Sequence, residues 1–148
     1  MRKIIYIFLF LFSLNTVNGA NEDALLETVG FLSAGKAIIT VYGLGTAYDA
    51  WSTEAYNDQE FENIILFYQN FIIATQEQLN ELHKYGDLLY DDKNYIGSLI
   101  EVYDTMHEQA RTSLKYSYTY KESDQNAYLN ARSITINKMN LLFDLGWE

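Results

Sequence analysis

The chain has 148 residues, of which 20 are acidic and 10 basic, so its formal net charge is −10. That length suits one domain of ordinary size, and an apolar share of 49% excludes wholesale disorder. Cysteine and proline are both absent. The first absence excludes disulfides, thiolate nucleophiles, Cys-ligated zinc and a lipidated N-terminal cysteine. The second removes the commonest helix stop, so long helices joined by short Gly/Asn/Asp turns are expected.

Residues Met1 to Gly19 read as a signal peptide. Arg2 and Lys3 form a positive start, Ile4 to Phe12 an unbroken apolar run, and Ser13 to Gly19 a small, polar exit. Val17 and Gly19 fall at the −3 and −1 places of a cleavage site, with Ala20 opening the mature chain; Ala20 at −1 is the other placement. Even carried on to Leu14, the apolar core is about 11 residues, against roughly 20 for a spanning helix. One domain is therefore expected over residues 20–148, exported: periplasmic in a Gram-negative cell, extracellular otherwise. Removing Arg2 and Lys3 leaves 8 basic against 20 acidic residues, a charge of −12. Such a polyanion excludes nonspecific binding to nucleic acid or anionic headgroups and favours a partner with a basic surface.

The first helix is expected to start at Asn21, an N-cap followed by Glu22 and Asp23, which suit the positive helix end. It runs through Leu25, Leu26, Val29, Leu32, Ile38, Ile39, Val41 and Tyr42. Gly43 and Gly45 predict a stop or sharp kink, leaving Thr46 to Tyr56 as a short helix or ordered loop with Tyr48, Trp51 and Tyr56. Small residues between Val29 and Ala47 (Gly30, Ala34, Gly35, Ala37) allow close helix approach, in a protein core or in lipid. Lys36 in the middle favours the core; membrane contact through 29–47 is the alternative.

Asn57 with Glu60 resembles a capping box. Behind it Phe61, Ile64, Ile65, Tyr68, Phe71, Ile72, Leu79 and Leu82 form one apolar stripe, interrupted at Thr75, and Gly86 ends the helix. Asp87 to Lys93 reads as a polar turn. A third helix is expected from near Asn94, with a seam at Ile96, Leu99, Tyr103, Met106, Ala110 and Leu114. Tyr116 to Tyr120 alternates like a strand but has no partner strand, and reads as a tyrosine-rich helix end. Ser123 or Asp124 should cap a last helix through Tyr128, Ala131, Ile134, Leu141 and Leu142. The pattern predicts an all-α, up-and-down bundle of about four helices, two or three of them long.

Chemistry is sparse. Asp104 and His107 share a helix face at i, i+3, which is half of a di-iron constellation; His83 has Asn80 where an acid is needed, and Glu62 and Glu77 are the nearest supply of carboxylates. A metal- or small-ligand-binding bundle is thus the alternative function, with no metal site or cofactor assigned. There is no Gly-x-Ser-x-Gly elbow, and Gly43-Leu-Gly45 lacks the third glycine, preceding strand and lysine of phosphate-binding loops. No catalytic residue is assigned and no enzyme is expected.

Tyrosine is the compositional oddity, at 13 residues. Tyr85, Tyr90 and Tyr95 surround one turn. Tyr116, Tyr118 and Tyr120 end the third helix, and the first and last of these share a face. Tyrosine is enriched at protein interfaces, so Tyr116, Tyr118 and Tyr120 are the candidate partner-binding residues. The expected function is protein–protein interaction by an exported helical protein, such as an inhibitor or immunity-type factor or a secretion or envelope accessory.

Overall fold

The structure, a computed structural model, describes residues 22–146, with side chains over 28–146. The expected signal peptide lies outside the described residues. Four helices follow one another: α1 (Glu22–Ser52), α2 (Asp58–Tyr85), α3 (Tyr90–Thr119) and α4 (Glu122–Phe143), with no strand among the described residues. Each connection is short enough to force reversal. Thus Trp51 of α1 stacks on Phe61 of α2 while Lys36 lies over Phe71, and Lys115 and Glu101 of α3 pair with Asp124 and Lys138 of α4. The result is an all-α, up-and-down bundle. α1 and α3 each touch all three other helices, whereas α2 and α4 occupy opposite corners without contact.

The α2 and α3 stripes form as the sequence predicts. Glu60 N–H donates to Asn57 Oδ1 at 3.0 Å and Asn57 N–H to Glu60 Oε2 at 3.0 Å, closing the capping box. A cap of this kind stabilises a helix by about 1 kcal/mol. Gly86 ends α2, its N–H donating to Leu82 O. Phe61, Ile65 and Ile72 of α2 meet Leu99, Tyr103 and Met106 of α3 in the core, all fully buried. Tyr120 closes α3 as a left-handed C-cap, so the tyrosine run is a helix end.

Four expectations are corrected. α1 does not stop or kink at Gly43 and Gly45 but continues to Ser52, taking in most of the segment expected as a separate short helix or loop. The reason is close approach. A Cβ at Gly43 would run into the hydroxyl end of Tyr68 on α2, and one at Gly45 would lie 3.2 Å from the Arg132 guanidinium on α4. Both glycines therefore serve packing between helices, which offsets an intrinsic helix penalty of about 1 kcal/mol each.

α3 starts at Tyr90, four residues before Asn94, because Asp91 and Asp92 sit well in a helix's first turn. α4 starts at Glu122 behind Lys121, without a side-chain cap. Neither Ser123 nor Asp124 is the N-cap: buried Asp124 instead accepts from Thr119 Oγ1 and from Lys115 Nζ, each at 2.7 Å. The buried face of α4 is Asp124, Tyr128, Ala131, Thr135 and Met139, while Ile134 and Leu141 are exposed. Thr135 can take a core place because its hydroxyl donates to Ala131 O at 2.9 Å.

The same device recurs throughout the interior. Thr40, Thr75, Thr112, Ser113 and Ser117 are all buried, and each returns its hydroxyl to a carbonyl three or four residues back. Thr75, which interrupts the α2 stripe in sequence, interrupts nothing in space. Gln109 is the exception. It is fully buried on α3, and neither Nε2 nor Oε1 meets a hydrogen-bonding partner among the described residues.

Two stability tests follow from this packing. Gly43→Ala should destabilise by about 1–2 kcal/mol through overpacking against Tyr68. Gly35→Ala, where a Cβ meets nothing within 4 Å, should stabilise by up to about 1 kcal/mol. Urea unfolding of both variants reads the opposite signs. Gln109→Met keeps volume and removes the orphaned amide, so it should raise stability by about 1–2 kcal/mol in the same assay; a loss would mean that the amide has a partner.

Candidate functional site

The threading brings the C-terminal ends of α1 and α3 to the N-terminal ends of α2 and α4. An aromatic cluster gathers there from all four helices. Trp51 stacks on Phe61 with ring centroids 4.9 Å apart, and Tyr116 presents its edge to Trp51 at 5.6 Å and 89°. Tyr48 stacks on Tyr128 at 4.0 Å. Such pairs contribute about 0.5–1.5 kcal/mol each beyond the area they bury.

Carboxylates fix the outer rings. Trp51 Nε1–H donates to Asp58 Oδ1 at 2.8 Å, and the Tyr120 hydroxyl donates to the same oxygen at 2.9 Å. One oxygen thus joins α1, α2 and the end of α3. The Tyr118 hydroxyl donates to Glu62 Oε1 at 2.7 Å, one helical turn along α2 from Asp58. The donated bonds from Trp51 and then Tyr120 hold the Asp58 carboxyl below the usual carboxylate range, and bonding to Glu62 and Asp58 pushes the Tyr118 and Tyr120 phenols up. With its folded value depressed, the stability that Asp58 lends is present above the unfolded carboxylate value and is lost as pH falls through the folded one.

Beside the cluster lies a cleft of about 550 Å³, lined by Trp51, Glu54, Tyr56, Asp58, Tyr116 and Tyr120 among others, with no Lys, Arg or His in its wall. Glu54 and Tyr120 are two of the three non-glycine residues at positive φ among the described residues, at 61° and 52°. At Tyr120 this is the ordinary left-handed end of a helix, its N–H donating to Tyr116 O at 2.8 Å. At Glu54, outside any helix, it costs about 1–3 kcal/mol, and such strain collects at functional sites.

The structure divides the three candidate tyrosines. Tyr116 is half-buried inside the cluster, whereas Tyr118 and Tyr120 are 62% and 60% exposed. Sequence reasoning missed Trp51, Asp58 and Glu62 as their companions. The available signal was an antiparallel hairpin setting the acidic start of α2 opposite the tyrosine-rich end of α3. The other tyrosine group disperses: Tyr85 and Tyr90 are exposed, and the Tyr95 ring lies over Gly30 of α1.

Asp104, placed with His107 by the metal-binding alternative, accepts from Gln76 Nε2 at 2.6 Å. Glu62 is engaged by Tyr118, His83 lies over Gly97, and no group of three or more His, Asp or Glu side chains converges among the described residues. A smaller groove of about 380 Å³ between α1 and α4 holds Arg132, whose guanidinium pairs with Asp49 at 3.0 Å. Over Thr28–Ser52, α1 is long and apolar enough to cross a membrane, with 33% of that window buried in the bundle. No protein-family model matches the sequence, and no curated protein or solved structure is significantly similar to it.

Replacing the tyrosines singly separates packing from surface. Tyr116→Ser should cost about 1–3 kcal/mol of stability, since a ring packed on Trp51 and Tyr48 is lost. Tyr118→Ser should stay within about 0.5 kcal/mol. Equal losses in thermal unfolding would place both rings in the same environment and overturn the division.

Proposed function

We propose that this is an exported, non-enzymatic helical module that binds another protein, one with a basic surface, through the aromatic, acid-rimmed end of the bundle. One observation carries the reading: two exposed tyrosines, Tyr118 and Tyr120, have their hydroxyls tied to the carboxylates Glu62 and Asp58, one turn apart on α2. Tyrosine supplies large contact area at low entropic cost, and a ring already held in place loses less freedom on binding. The net charge, −12 once Arg2 and Lys3 are removed with the signal peptide, adds long-range attraction for a basic partner. An inhibitor or immunity-type factor and a secretion or envelope accessory both fit this mode of action.

A second reading rests on α1, whose exposed face carries Phe31, Ile39 and Tyr42 at 78%, 67% and 58% exposure. That surface suits contact with a membrane as part of an envelope assembly.

One experiment addresses both. The tagged protein is used as bait on its native envelope and culture medium, and captured proteins are read by mass spectrometry. The expected result is one stoichiometric basic partner, lost from the Tyr118→Ser/Tyr120→Ser double variant and already weakened by Tyr118→Ser alone, whose melting temperature stays unchanged. Capture that survives the double variant, or no capture under mild crosslinking, counts against the bundle-end interface. Flotation of the bait with protein-free liposomes would favour the α1 reading instead.

A further inference from the structure

The cleft at the bundle end has a composition that points to one kind of occupant. Its wall contains two carboxylates, Glu54 and Asp58, and several tyrosines, and no positive group. The Glu54 carboxylate has no hydrogen bond or ion pair among the described residues. Both donors that reach Asp58 fall on Oδ1, so Oδ2 is likewise unbonded there. Two anions therefore stand unneutralised beside tyrosine faces, an environment that attracts a cation through charge and through the ring quadrupoles together.

The ring geometry narrows the choice. Centroids of Trp51, Tyr116 and Tyr120 lie 5.6, 5.9 and 6.3 Å apart, so these rings touch and admit no ion between them. A cation must lie flat against the outer faces of the exposed rings, Tyr120 and Tyr56, which are 60% and 36% exposed. A planar guanidinium stacks in that way, whereas a tetrahedral ammonium meets a single face less closely. Of the remaining polar lining, Asn57 Oδ1 already accepts from Glu60 N–H, and Ser52 and Gln125 beside Asp58 and Glu54 offer oxygens that accept hydrogen bonds. A guanidinium carries five donors for such acceptors; a quaternary ammonium carries none.

Resting on the reading of this end as a protein-binding surface, we infer that the cleft is the seat of an arginine side chain presented by the partner. The guanidinium stacks on Tyr120 and donates to Asp58 Oδ2 and to Glu54. The Trp51 and Tyr120 hydrogen bonds hold the Asp58 carboxylate in place before the arginine arrives, so the partner need not order it.

The test uses the Trp51 indole N–H as reporter, isolated by nuclear magnetic resonance in a Trp147→Phe background. The probe is N-acetyl-arginine amide, compared with N-acetyl-citrulline amide, which has nearly the same shape without the charge. The expected result is a saturable shift of the Trp51 signal with the arginine probe alone, weakened at least about tenfold by Asp58→Asn and by Tyr120→Leu. Asp58→Asn keeps an oxygen for Trp51 and Tyr120, so this variant should remain folded when Tyr120→Leu does not. Equal responses to arginine and citrulline, no saturable shift, or indifference to Asp58→Asn would overturn the assignment. Tighter binding of tetramethylammonium or N-acetyl-lysine amide would overturn the guanidinium and leave another organic cation. A partner still captured by the Asp58→Asn variant defeats the arginine seat and leaves the protein-binding reading standing. Arginine binding in the absence of any captured partner does the reverse.

Discussion

The bundle depends on α1 accepting three neighbours at once, and α1 carries a glycine where each of them comes close. Gly43 faces Tyr68 of α2, Gly30 faces Tyr95 of α3, and Gly45 faces Arg132 of α4. Without a Cβ, the backbone lets a ring or a guanidinium lie against the helix itself. An isolated helix with glycines at these places would be weak, at about 1 kcal/mol per glycine relative to alanine. Packing on three sides supplies what the local sequence lacks. Stability of α1 is therefore a tertiary property, in contrast to α2, which begins on its own capping box.

The site follows from that continuity. Because α1 runs unbroken past Gly45, it delivers Tyr48 and Trp51 to the end of the bundle, where α2 begins and α3 stops. Trp51 then shares the Asp58 oxygen with Tyr120, and Arg132 is placed to pair with Asp49 and to touch the Tyr128 hydroxyl. Removing the link at Asp58 would free one end of three helices together. The same end holds Glu54 in left-handed backbone outside any helix and two carboxylates with unbonded oxygens, features that stability alone does not favour. Both make sense if the end is shaped to meet something else.

The interior departs from the simple picture of an apolar core. Hydroxyls at Thr40, Thr75, Thr112, Ser113, Ser117 and Thr135 sit among the buried residues because each bonds a carbonyl of its own helix. Tyr103 does so across helices, donating to Ser33 O at 3.2 Å, and burial pushes its phenol far up. A hydroxyl satisfied within its own turn packs almost as an apolar group, so the core tolerates it. A hydrophobic stripe read from sequence misses such positions. On α4 this shifted the inferred face toward Ile134 and Leu141, although the helix buries Thr135 and Met139.

Residue pattern alone determined the helical class, the up-and-down order, the start and end of α2, and the seams of α2 and α3. These depend on 3.6-residue periodicity and on capping between residues three apart, which are local interactions carried by adjacent sequence. It also determined the acidic charge and drew attention to the tyrosines at 116, 118 and 120. Tertiary structure decided what two glycines in a row of apolar residues mean, because a helix stop and a helix crossing use the same residue for the same lack of a Cβ. It decided which tyrosines are core and which are surface, and it joined them to Asp58 and Glu62, which lie 62 and 56 residues away in the chain. No local rule connects positions so distant; only the antiparallel packing of α2 against α3 brings their opposite ends together.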